Sequence, residues 1–161
     1  MTRFEELCQT YKNSRNAFIK HRDETQEFAR ILIGGLIQDL GIPAKETKFA
    51  KTTDDADDNQ TYSIYSAMTL EKDGWWSIGL EFRIYEGPQV FPQQPVLIRF
   101  DFKKNDNNYN VKFGVDSEAV INPSEAQSME AFYKLVFEFL KQQFEWNANK
   151  FAEENKRRIG F

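Results

Sequence analysis

The sequence predicts an α+β fold: a long N-terminal helix, a four- to five-stranded antiparallel meander sheet and a long C-terminal helix, both helices packing on one face of the sheet. Three observations carry this. Apolar residues recur at helical spacing from Phe4 to Leu40. Four segments between Tyr62 and Val115 alternate apolar and polar residues, each with a single apolar row, as in an antiparallel sheet with one strongly buried side. Helical spacing then returns after Asn122. With 161 residues the chain suits one domain over 1–161, large enough for an ordinary core.

The first helix carries Phe4, Leu7, Tyr11, Phe18, Thr25, Ala29, Leu32, Leu36 and Leu40 on one stripe, and Gly41 and Pro43 stop it. Taken as continuous it would span ~55 Å, whereas a compact domain of this size has a radius of gyration of roughly 15 Å. It must therefore bend, break or overhang. Candidate breaks are Lys12-Asn13-Ser14-Arg15-Asn16, rich in weak helix formers, and Gly34-Gly35. Thr47 to Thr53 then reads as a short edge strand, followed by the acidic loop Asp54 to Asn59.

The four strand rows are Tyr62, Ile64, Ser66, Met68 and Leu70; Trp76, Ile78, Leu80, Phe82 and Ile84; Val96, Ile98, Phe100 and Phe102; and Tyr109, Val111, Phe113 and Val115. Side chains alternate between faces, so parity constrains the loops. Leu70 and Trp76 share a face only if Lys72-Asp73-Gly74 forms a three-residue loop with Gly74 left-handed. The last hairpin needs an even loop, supplied by Asn105-Asp106 or by Asn105 to Asn108. The final helix is expected to start with Asn122 as cap, Pro123 in its first turn and Glu125 closing a capping box. Its arc of Met129, Phe132, Tyr133, Val136, Phe139, Leu140 and Phe144, widened by Leu135, Phe137 and Trp146, exceeds one sheet contact and predicts packing on the first helix as well. Beyond Phe144 the stripe turns polar, which places Trp146 and Phe151 on an overhang, and Lys156-Arg157-Arg158 complement a helix C-terminus.

Composition restricts the function. A net charge of -4 gives no electrostatic footprint for a polyanion, which argues against a nucleic-acid partner. One cysteine, Cys8, permits no internal disulfide and fits a reducing compartment. No stretch has the apolar length of a membrane span, and the N-terminus lacks the apolar core of a signal peptide, so a soluble cytoplasmic protein is expected. The lone histidine, His21, lies ~20 Å along the helix from Cys8, too far for a Cys-His dyad, and reads as structural. Gly-x-Gly-x-x-Gly, P-loop and Cys-x-x-Cys patterns are absent, so no cofactor is implied. Asp55, Asp57 and Asn59 match the opening of a calcium loop, but Gln60 stands where glycine makes the turn and Ser66 where a bidentate glutamate belongs. Arg15 and Arg22 read as side chains whose stems run along the apolar stripe.

Candidate site residues concentrate on the polar face of the sheet: Trp75, Gly79, Glu81, Arg83 and Tyr85 on one strand, Arg99, Asp101 and Lys103 on the next, with Tyr65 alongside. Glu81 followed by Asp101-Phe102-Lys103 resembles the paired carboxylates and lysine of restriction-type nucleases, which implies a divalent-metal-dependent hydrolase as one alternative. A small-ligand binder using Tyr65, Trp75, Gly79 and Tyr85 is another. A surface ladder is more economical: one allowed register pairs Arg83 with Asp101, Glu81 with Lys103 and Tyr85 with Arg99, with Phe82 opposite Phe102. Gly79 facing Ala67, with Gly114 on the same side, suggests close approach by a ligand, a partner chain or the protein's own N-terminal segment. The leading expectation is a non-enzymatic interaction or regulatory module of immunity, chaperone or adaptor type, binding a protein partner and forming a homodimer, with Val90, Phe91, Trp146 and Phe151 as contact residues.

Overall fold

A computed structural model describes residues 1–53, 60–114, 116–145 and 157–160. The acidic loop Asp54 to Asn59, Val115, Trp146, Phe151 and Lys156 lie outside the described residues.

The first helix, α1 (Arg3–Leu40), runs unbroken. Thr2 Oγ1 accepts from the Glu5 amide at 3.1 Å while the Glu5 carboxylate accepts from the Thr2 amide at 2.6 Å, so both members of a capping box are in place. Gly41 ends the helix in the left-handed region, φ 68°, as its lack of a Cβ permits. Neither expected break interrupts it. Instead Gly35 is a crossing point: a Cβ there would overlap the Tyr133 phenol of the second long helix.

A short 3-10 turn at Ala44–Glu46 leads into β1 (Lys48–Ala50), an edge strand inside the span expected for it. The alternating segment from Tyr62 to Leu70 is not a strand. Tyr62 makes only an isolated bridge to Phe49, then comes a helical turn, α2 (Ile64–Ala67), and a two-residue strand, β2 (Thr69–Leu70). Ser63 explains the change: its hydroxyl caps the turn by accepting from the Ser66 amide at 3.1 Å, a local bond that competes with ladder pairing. The remaining elements are β3 (Trp76–Ile84), β4 (Gln94–Asn105), β5 (Asn108–Phe113), β6 (Ser117–Ile121), α3 (Ala126–Phe144) and β7 (Arg157–Ile159).

The sheet order is β1-β3-β4-β5-β6, with β2 joined to the start of β3 and β7 to β4. Both parity arguments hold. Leu70 pairs with Trp76 around the loop Lys72-Asp73-Gly74, with Gly74 at φ 86°, and Lys104 pairs with Tyr109 around a turn in which Asp106 takes φ 55°. The β3–β4 register, however, differs by six positions from the expected ladder. Trp76 pairs with Phe102, Ser77 with Asp101, Gly79 with Arg99, Glu81 with Leu97, Phe82 with Val96 and Arg83 with Pro95. The expected register would have placed Trp76 and Ile78 beyond the turn at Asn105, without partners, and Gly87-Pro88 inside the ladder. The observed one pairs the whole of β3 and ends it before them.

Strands β6 and β7 are additions to the expected sheet. β6 returns after Gly114, whose φ of 67° turns the chain away from β4 and leaves the β4 edge at residues 96–98 open. β7 fills that gap in parallel, with Val96 against Arg157 and Ile98 against Ile159, so Arg157 and Arg158 belong to a strand and not to a helix end. Helix α3 also starts four residues later than Asn122. The Asn122 carboxamide instead accepts from the Ser124 amide at 3.0 Å, forming a turn ahead of the helix, and Glu125 makes no side-chain cap.

The core lies on one side of the sheet. Thr25, Phe28, Ala29, Leu32, Ile33 and Leu36 of α1 and Phe132, Tyr133, Val136 and Leu140 of α3 are buried with the even rows of β3 and β4. Phe28 stacks on Tyr109 at 3.8 Å and meets Phe102 edge-on, while Phe132 meets Phe100 and Phe113. Leu135 and Phe137, assigned to the wide arc, are exposed. Among the described residues no helix is long and apolar enough to cross a membrane.

Candidate functional site

The helix-free face of the sheet contains most of the expected site residues, but the register disperses them. Arg99, Asp101, Trp75 and Lys103 do gather. The Arg99 Nε donates to both Asp101 carboxylate oxygens at 3.1 and 3.2 Å, and its Nη2 lies 3.7 Å from Glu71. Ser77, fully buried, donates to Glu71 at 3.1 Å and meets the Thr52 hydroxyl. Lys112 sits 4.0 Å above the Trp75 ring and Lys103 5.8 Å from it. Here one guanidinium bridges two carboxylates.

The others lie elsewhere. Glu81 is four residues along β3 from Ser77, the partner of Asp101, hence ~13 Å away by strand rise, and is flanked by Lys48 and Leu97. Glu81, Asp101 and Lys103 therefore do not converge as a metal-dependent hydrolase requires. Among the described residues no group of three His, Cys, Asp or Glu side chains is placed to hold a metal. Arg83 reaches Gln93 at 3.4 Å. Tyr85 donates to the Glu46 carboxylate at 2.8 Å, and this bond holds its phenol pKa above the ordinary value. Tyr65 sits on α2, where its carbonyl accepts from Gln26 of α1.

The two glycines are also accounted for from within the chain. A Cβ on Gly79 would lie 3.1 Å from the Ala50 carbonyl and 3.2 Å from Leu97, so β1 and Leu97, not Ala67, occupy the space beside it. Gly114 faces α3: a Cβ there would lie 2.8 Å from the Phe139 ring. A cleft of about 530 Å³ between α1 and the β4–β5 hairpin is rimmed by Asp23, Glu24 and Glu27, but these carboxylates are paired with Arg22, Lys104 and Arg30. The cleft therefore presents no unpaired carboxylate to a ligand. Val90 and Phe91 are exposed in the β3–β4 loop.

A second surface comes from α1. Where the helix meets the sheet, Phe18 stacks on Trp76 at 6.3 Å, and His21 Nε2 accepts from the buried Trp76 indole N–H at 3.2 Å. Toward the N-terminus the helix leaves the body, and every residue from Met1 to Phe18 is exposed. The apolar stripe nevertheless continues. Phe4, Leu7, Tyr11 and Phe18 occupy the same alternating three- and four-residue spacing as the buried Thr25, Phe28 and Leu32, yet are 73, 68, 67 and 45% exposed. About 24 Å of amphipathic helix thus projects with its greasy side open.

No known protein family matches this chain. Neither does any curated protein or solved structure.

In the sequence Phe4, Leu7 and Tyr11 share one stripe with the buried positions and are not told apart from them, because periodicity reports which residues share a face and not what lies against it. The signal that marks them out is length: a helix of ~55 Å cannot be covered by a sheet of this size, and the weak formers Lys12 to Asn16 indicate the half left bare.

Proposed function

We propose that this chain is a non-enzymatic protein-interaction module whose docking element is the projecting half of α1. The observation that supports the reading is the continuation of one apolar stripe from core to solvent. The burial of Phe28 and Leu32 shows what such a stripe does when covered. In water a helix of about four turns gains little from propensity alone, and Asn13, Ser14 and Asn16 lower that gain further, so packing of the amphipathic face by a partner is its natural stabiliser. The adaptor and regulatory expectations share this requirement of a presented surface.

The test is the double variant Leu7→Glu, Tyr11→Glu. Because neither side chain is covered by the body, its monomer should unfold within about 2 °C of the parent in thermal denaturation. A drop of the size seen for core substitutions would mean that the stripe packs on the protein's own body, and the docking reading would be lost.

A further inference from the structure

We infer that the partner of the projecting helix is a second copy of the same chain, with the two α1 segments side by side and antiparallel about a two-fold axis at the level of Gln9. This rests on the docking reading above and names its occupant. The direction follows from the fold. Beyond Phe18 the stripe is already occupied by the chain's own sheet, through Thr25, Phe28 and Leu32. A second helix running parallel would stay level with its mate along the whole length and collide with that sheet. An antiparallel helix overlaps only the bare segment and carries its own body away to the far end.

The side chains fit this arrangement. Crossing at Gln9 sets Phe4 of one copy against the small Ser14 of the other and Leu7 against Tyr11, so large and small side chains interdigitate along the seam. Covering Phe4, Leu7 and Tyr11 on both copies removes at most on the order of 1,000 Å² from water, the lower bound for a specific interface. An interface of that size belongs to the weak, reversible class, to be sought at concentrations on the order of 10–100 µM and above. Cys8, exposed beside the seam, faces its counterpart across the axis.

Sedimentation velocity of the parent chain across that concentration range, compared with the Leu7→Glu, Tyr11→Glu variant, is the deciding experiment. The parent should pass from monomer to dimer, and the variant should remain monomeric, its Kd raised at least tenfold. A short bismaleimide should link Cys8 to Cys8 in the parent at dimer concentrations and not in the variant. A parent that stays monomeric at several hundred micromolar, with no covalent dimer, overturns the second copy as occupant; if the variant's unfolding temperature is unchanged, the docking surface itself stands. A dimer that persists in the variant places the interface elsewhere and likewise overturns the proposal.

Discussion

At the scale of single residues, Gly34 and Gly35 show how neighbouring glycines of one helix differ. Both carry the helix-propensity cost of glycine, which made them candidate breaks, yet nothing lies within 4 Å of a Cβ built on Gly34, whereas one on Gly35 would run into the Tyr133 ring. Gly34→Ala should therefore raise stability by about 0.5–1 kcal/mol, through propensity and a smaller loss of chain entropy. Gly35→Ala should instead lower it by about 1–3 kcal/mol, because Tyr133 is buried and overpacking outweighs propensity. Urea denaturation of the two variants checks this, and equal signs would refute it. Sequence alone could not separate the pair, since propensity is a property of the residue while the Tyr133 contact spans about a hundred positions.

Among the elements, the join between α1 and the sheet carries a charged bond whose pH dependence has a definite sign. Lys104 of β4 donates to Glu24 of α1 at 2.6 Å. That hydrogen bond holds the Glu24 carboxyl below its ordinary 4.5 and the Lys104 ammonium above its ordinary 10.5. For Glu24 the folded value is lowered, so its contribution is full above pH 4.5 and is lost as pH falls through the folded value. For Lys104 the folded value is raised, so its contribution is full below pH 10.5 and is lost as pH rises further. Glu24→Gln should accordingly lower the thermal midpoint by a constant amount between those limits, and the gap to the parent should close on acidification. A gap unchanged at pH 2–3 would contradict it. Element boundaries show where sequence reading succeeds. The stop at Gly41 and loop parity at Gly74 and Asp106 were legible because they depend on a few adjacent residues, whereas the cap expected at Asn122 was not the one used. The β3–β4 register was not, since apolar rows alone permit every second alignment, and the choice depended on where β4 ends. Attractive cross-strand charge pairs at 0.2–1 kcal/mol each are too weak to outvote the pairing of a whole strand. The polar row could be read as a surface; its membership as a site could not, because that followed the register.

At the scale of the molecule, layer order and helix placement were readable from three blocks of periodicity, while β7 was not: three residues offer no alternation to detect. Strands β4 to β6 alternate in direction, and β7 runs parallel to β4 at its 96–98 edge. Ile159 there is buried against Ile98 as part of the core. Ile159→Ala should cost about 2–4 kcal/mol in denaturant unfolding; a loss below 0.5 kcal/mol would mean that β7 does not hold the β4 edge in solution. The placement has a consequence for biosynthesis. A ribosome delivers 157–159 after β1 to β6, so a nascent chain holds one edge of β4 partly open until β7 arrives. During that interval the backbone donors and acceptors beside Val96 and Ile98 are a template for an extended peptide.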